Sequence, residues 1–150
     1  LDWDIVLDVC LKGTYLVSKH VIPHIVKTGG GHVVNIASGW GISGGEKASA
    51  YCAAKGGVVN LTRAMAIDYG PLGIMVNCIC PGDIATPLLD IQAEQLGCNL
   101  EEMLSSSAAG RPLRRIGQPV DVARAIYFFL SGLSSWSAGA VLTVDGGGTA

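Results

Sequence analysis

The sequence predicts an α/β fold built on a parallel sheet. Three observations predict it. Apolar segments of strand length alternate with longer segments of helical period, and such alternation implies crossover connections and parallel strands. The run Ile74-Met-Val-Asn-Cys-Ile-Cys80 is almost continuously apolar, the pattern of a strand covered on both faces. Glycine supplies 21 of the 150 residues with no collagen-like period, which suits tight turns and close backbone approaches.

Each element has its own justification. Residues 3–27 form a helix on the spacing of Val6, Val9, Cys10, Gly13, Leu16, Val17, His20, Val21, His24 and Ile25. Pro23 is expected to kink or end it near its last turn, and Lys27-Thr-Gly-Gly-Gly31 is a stop signal. His32–Ala37 reads as a strand, and Ser38–Glu46 as a Gly- and Ser-rich loop. Residues 49–69 form a second helix, closed by Gly70-Pro71. Its internal Gly56-Gly57 pair disfavours helix by about 1 kcal/mol per residue relative to Ala, so something is expected to approach that backbone closely. After the strand 74–80, Pro81-Gly82 makes a turn. Residues 87–110 are mixed, with Asn99 and Glu102 spaced as a capping box for a short helix. Pro119 opens a helix that runs to Leu130, and Ala140–Val144 is a last strand before Asp145-Gly-Gly-Gly148. The expected order is α, β, α, β, α, α, β, in one domain spanning residues 1–150.

Composition removes several function classes. Half of the chain (49%) is hydrophobic and only 15% is charged, which excludes disorder. The net charge of −2 offers no basic footprint for nucleic acid or an anionic membrane surface. Mean hydropathy is high, at +0.44, yet no apolar stretch approaches the roughly 20 residues of a spanning helix. Asp2, Asp4 and Asp8 are the opposite of a basic leader, so a cytoplasmic protein is expected. The five cysteines include no C-x-x-C; Cys78 and Cys80 are expected to be buried thiols, and no zinc or disulfide is called for.

Ligands of parallel sheets bind beyond the carboxyl ends of the strands, which directs attention to Ser38, to Pro81–Thr86 and to Asp145–Gly148. Tyr51 and Lys55 stand four apart on one helix face, and Ser38 precedes them on the incoming loop. A free phenol is a poor acid or base near pH 7. A cation within about 4–6 Å lowers its pKa, so Lys55 is expected to bring Tyr51 into a useful range while Ser38 bonds a substrate oxygen. By spacing alone such a Tyr–Lys pair also fits ordinary surface neighbours.

The wider pattern decides between them. Asn35-Ile-Ala-Ser38, Tyr51-Cys-Ala-Ala-Lys55, Val76-Asn-Cys-Ile-Cys-Pro81-Gly82-Asp-Ile84-Ala-Thr86-Pro87, Arg115-Ile-Gly-Gln-Pro119-Val-Asp-Val-Ala123 and Val144-Asp-Gly-Gly147 occur in this order. Together they resemble the short-chain dehydrogenase/reductase family over essentially the whole chain. The resemblance implies a Rossmann-like, doubly wound parallel sheet, of which this chain is the C-terminal portion. It implies an enzyme that moves a hydride between NAD or NADP and a small alcohol or ketone. In that reading Tyr51 is the acid/base, Lys55 lowers its pKa and holds the nicotinamide ribose, and Ser38 positions the substrate oxygen. Pro81, Gly82, Ile84 and Thr86 would hold the nicotinamide end of the cofactor, Gly82 by letting backbone approach the ligand. A homodimer or homotetramer, joined through the long helices and the last strand, is implied as well.

Two departures stand out. The family's opening strand and Gly-rich pyrophosphate turn do not precede residue 3, and the residue that selects NAD or NADP would lie with them. A fragment or truncated product is therefore expected, with a non-catalytic subunit paired to a complete homologue as the alternative. Cys10 stands where the family usually has an Asn that holds a relay water, and a thiol is a weaker partner for such a water.

Other patterns carry less. Gly39-Trp-Gly41-Ile-Ser-Gly44 spells a dinucleotide motif, but its helix starts too late. Gly41-Ile-Ser43-Gly-Gly45 spells a hydrolase elbow, but every His precedes Ser43. Both read better as a Gly-rich loop. His20 and His24 have a metal-compatible spacing without a third ligand; Trp40 divides between packing and a substrate pocket; Arg111, Arg114 and Arg115 read as a solvated or interface cluster.

Overall fold

The computed structural model describes residues 3–150. A continuous helical rod opens the described chain: α1 (Trp3–Leu7), a π-helical turn (Asp8–Lys12) and α2 (Gly13–Lys27), with helical backbone at both junctions. The predicted helix 3–27 is present, and the π turn inside it was not foreseen. Helical periodicity alone does not distinguish one wider turn. Pro23 does not end the rod, which runs four residues further to Lys27.

Strand β1 (Gly31–Ile36) leads through a short 3-10 turn (Gly39–Gly41) to α3 (Ser49–Tyr69). Strand β2 (Ile74–Pro81) follows, then α4 (Pro87–Leu96), α5 (Leu100–Ala109), α6 (Pro119–Leu130) and β3 (Val141–Val144). Among the described residues the sheet has the order β1-β2-β3, parallel throughout. Helix α4 is the one element the sequence left undefined. Thr86 is in extended backbone before it, Pro87 sits in its first turn, and the left-handed Gly97 closes it. Before α5, Asn99 Oδ1 accepts the Glu102 N–H at 3.1 Å, the forward arm of the expected capping box.

β2 is the centre of the core. Ile74, Val76, Cys78 and Cys80 share one face and are fully buried with Val58, Val59, Met65 and Ala66 of α3. Asn77 and Ile79 are buried on the opposite face, and α6 packs along the strands. The fully covered strand and the buried thiols are both as the sequence indicated; all five cysteines are free. Two polar side chains stitch this core. Asn35 Nδ2 donates to Thr62 Oγ1 at 2.9 Å. Asn77 donates to Ser137 O at 2.8 Å and accepts from Ala140 N–H at 3.0 Å, fixing the approach to β3.

The Gly56-Gly57 pair has its reason inside the chain. A Cβ on Gly57 would lie 2.6 Å from a Leu11 methyl in the π turn, and one on Gly56 would touch the Gly41 carbonyl at 3.4 Å. The pair lets the rod and the 38–46 loop close on α3.

Candidate active site

Ser38 leaves β1 in extended backbone, with φ −166° and ψ 159°. Its Oγ accepts the Trp40 N–H at 3.2 Å and caps the 3-10 turn. The turn presses on α3 so closely that a Cβ on Gly41 would lie 2.8 Å from the Lys55 carbonyl oxygen. This contact fixes Ser38 relative to the first two turns of α3, where Tyr51 and Lys55 stand. The Ser38 hydroxyl stands close enough to the Tyr51 phenol to favour its ionised form. Lys55 Nζ donates to Ile36 O at 3.1 Å and lies 5.7 Å from the centre of the Tyr51 ring. The three residues singled out in the sequence thus meet at the carboxyl end of β1.

The electrostatics differ from expectation. Burial pushes the Tyr51 phenol above its ordinary value; the Ser38 hydroxyl pulls it partly back, and the neighbouring Cys10 and Cys52 raise it further. Lys55 was expected to lower it. In this arrangement the ammonium lies over the ring, and one of its donors is engaged by Ile36. Cys10, in the π turn, lies beside Tyr51 as its position in the sequence implied, and its carbonyl accepts the Thr14 hydroxyl at 2.8 Å. Beneath the site, the neighbouring Cys80 and Thr62 side chains hold the Cys78 thiol down at about 7 against its burial, with Lys55 adding to the effect, and Cys80 is pushed up as its partner.

Pro81–Thr86 leaves β2 towards the same edge. Gly82 N–H bonds Val144 O at 3.0 Å, and a Cβ on Gly82 would lie 2.8 Å from that of Asp145. Its lack of a side chain therefore has a reason within the fold, where the sequence reading invoked a ligand. Residues 83–85 pair with Gly117. Gly117 N–H donates to Asp83 O at 3.0 Å, and Ala85 N–H donates to Gly117 O at 2.9 Å. By the alternation of extended backbone, the N–H and C=O of Ile84 project to the opposite side. The Thr86 hydroxyl sits with them, bonded to Ile84 O at 3.3 Å. This strip presents the Ile84 N–H, with the Thr86 hydroxyl engaged on the Ile84 carbonyl.

The sequence reading missed what holds that strip. Arg111, largely buried at 13% side-chain exposure, reaches Asp83 at 2.8 Å, Asp145 O at 3.1 Å, and the carbonyl and hydroxyl of Ser107; Ser107 in turn bonds Asp83. Asp145 accepts from Gly147 N–H and from the N–H and hydroxyl of Thr149. The arginine cluster is dispersed: Arg114 reaches the Ala109 carbonyl at the end of α5, and Arg115 pairs with Asp121 at 2.7 Å, holding that carboxyl down at about 2. No spacing rule joins residues 83, 107, 111 and 145. His20 and His24 lie on the exposed surface of α2.

A family model described as enoyl-(acyl carrier protein) reductase matches residues 1–149. The chain belongs to the short-chain dehydrogenase/reductase family. A 2-(S)-hydroxypropyl-CoM dehydrogenase of Xanthobacter autotrophicus is 40% identical over 149 residues, 99% of this chain and 58% of that protein. The ligand-free aldohexose dehydrogenase of Thermoplasma acidophilum superimposes with a TM-score of 0.92 at 37% identity, covering 98% of this chain and 59% of that one. ElxO with NADP bound superimposes at 0.79 with 32% identity, over 91% and 53% of the two chains. The family's Rossmann-like fold is the one described above. The chain spans somewhat more than half the length of these relatives.

Proposed function

We propose that this chain forms the proton-transfer half of an NAD- or NADP-dependent oxidoreductase that interconverts an alcohol and a carbonyl compound. The observation that carries the proposal is the meeting of Ser38, Tyr51 and Lys55 at the carboxyl end of β1. In reduction, Tyr51 Oη gives its proton to the carbonyl oxygen; in oxidation it receives the alcohol proton. Ser38 Oγ holds that same oxygen. Lys55 Nζ holds the nicotinamide ribose hydroxyls. Pro81 and Gly82 bring the strip to the site, and Ile84 main chain with the Thr86 hydroxyl holds the carboxamide. A bound nicotinamide supplies or takes the hydride. Relatives named as dehydrogenases, and one solved with NADP, support the reading.

The partner is a small-molecule alcohol or ketone, in a cytoplasmic homodimer or homotetramer. Exposed Trp3, Val9, Val17, Val21 and Ile67 along the rod and α3 support the oligomer. Among the described residues no helix is long and apolar enough to cross a membrane.

The test uses the protein at its natural length, with NADH and NADPH, against a panel of ketones. We expect reduced nucleotide to be consumed in step with ketone, and Ser38→Ala to lower kcat. Failure of both nucleotides to bind would overturn the proposal.

A further inference from the structure

Trp40 lies edge-on to Tyr51, with ring centres 6.1 Å apart and planes at 81°. Its loop is tied at every step. Trp40 N–H donates to Ser38 Oγ, Gly41 N–H to Ser38 O at 2.8 Å, and Ile42 and Ser43 N–H both to Gly39 O, at 3.1 and 3.0 Å. The Ser43 hydroxyl donates to the same Gly39 carbonyl at 3.0 Å. On one side Gly41 is jammed against the Lys55 carbonyl. On the other, a Cβ on Gly45 would lie 2.6 Å from two atoms of the indole. The indole is therefore held between the backbone of Gly45 and the ring of Tyr51, and the glycine spelling of residues 39–45 is what makes that possible. Trp40 remains 36% exposed, next to the phenol.

We infer that Trp40 is a specificity-determining residue. Its indole is a rigid apolar wall beside the proton donor, and it selects alcohols and ketones with a flat apolar substituent, above all an aryl group, on the carbinol carbon. The inference deepens the dehydrogenase reading and rests on it for the reaction. The physical cause is the adjacency of fixed apolar area and the acid/base: an aryl group stacked on the indole leaves water, while a methyl or ethyl group gains little there.

The test compares wild type, Trp40→Ala and Trp40→Phe at natural length, with acetophenone and butanone as substrates under saturating nucleotide. We expect Trp40→Ala to lower kcat/KM for acetophenone by about tenfold or more, through KM. Butanone should change less than threefold, and Trp40→Phe should keep most of the preference. Trp40→Leu, apolar but not flat, replaces the Ala variant if that one unfolds. Equal losses on both ketones, or an unchanged ratio, would overturn the inference. A second arm needs no turnover: calorimetric titration of 1-phenylethanol into wild type and the same variant. About tenfold weaker binding by the variant supports the wall even if wild type reduces no ketone, in which case only the dehydrogenase reading falls. Equal binding, or none by wild type, overturns the wall.

Discussion

The two sides of the candidate site are built by different physics. The Ser38–Tyr51–Lys55 side comes from one short stretch of chain, and it is positioned by backbone contact: Gly41 against Lys55, Leu11 against Gly57, Lys55 Nζ on Ile36 O. The Pro81–Thr86 side comes from four distant stretches, and it is positioned by charge: Arg111 bonds Asp83, Ser107 and Asp145, and Gly117 pairs with residues 83–85. The first side tolerates no added atom where backbone meets backbone, at Gly41 against Lys55. The second is closed at one tight contact, Gly82 against Asp145, and is otherwise held by the Arg111 ion pair. Proton transfer needs a fixed distance, which close backbone contact provides. On the proposed function the second side receives the cofactor, and the Arg111–Asp83 ion pair latches it.

The sharpest way to separate the sides is to remove one oxygen from the first. Tyr51→Phe keeps the ring against Trp40. We expect kcat to fall by roughly 10²–10⁴-fold with nucleotide affinity little changed, as general acid–base catalysis is worth about that much. An unchanged kcat at saturating substrate would remove Tyr51 from the mechanism. The same variant reports on pH. Burial raises the Tyr51 pKa in the folded chain, so the neutral phenol is favoured by folding. That contribution is complete below the unfolded value of about 10 and is lost as pH rises from there through the folded value. Alkaline unfolding should therefore shift to higher pH in Tyr51→Phe, read by circular dichroism against pH.

On the second side, Arg111→Ala leaves Asp83 with the Ser107 hydroxyl alone and the Asp145 carbonyl with the Gly148 N–H at 3.3 Å. Asp83 is partly exposed, at 39%, so water offsets part of the loss. We expect a cost of about 2 kcal/mol and a thermal midpoint lower by about 4–8 °C. Nucleotide binding should weaken while Tyr51 chemistry at saturation persists. A loss of kcat with unchanged nucleotide affinity would show that the two sides are not separately built.

Smaller effects refine the contrast within the first side. Gly41→Ala drives a methyl into backbone and should cost about 1–3 kcal/mol. Gly57→Ala meets only the end of Leu11, which can turn aside, and the better helix former offsets up to about 1 kcal/mol. Its net effect should be near zero. Equal costs in chemical denaturation would contradict positioning by backbone contact. The smallest expected change is Cys10→Asn. An amide beside Tyr51 supplies one hydrogen bond of about 0.5–1.5 kcal/mol, so kcat should rise by roughly 2- to 13-fold if the bond acts wholly in the transition state. A rise in kcat at constant nucleotide affinity checks it; an equal or lower kcat with the fold intact would make Cys10 plain packing.

What the sequence determined by itself follows from local and periodic rules. Alternation of period fixed the α/β class; the apolar run 74–80 fixed a doubly covered strand; Ser49–Tyr69 was bounded correctly because Gly70-Pro71 punctuates it. Ser38, Tyr51 and Lys55 lie within 18 consecutive residues, but spacing alone also fitted surface neighbours, and the family pattern singled them out. Gly56-Gly57 announced a close approach, although not what approaches.

Only the tertiary structure decided the rest. The π turn at Asp8–Lys12 lies within a rod whose pattern reads as ordinary helix. The direction of the Tyr51 pKa depends on burial and on where the Lys55 ammonium rests, and spacing along a helix specifies neither. Gly82 is required by Asp145, some sixty residues later in the chain. The Arg111 latch joins residues 83 to 145, and its partners are named by the crossing of loops at a sheet edge. A sequence states which groups are available. Which of them meet is settled by packing, because distance through space is set by the sheet and not by separation along the chain.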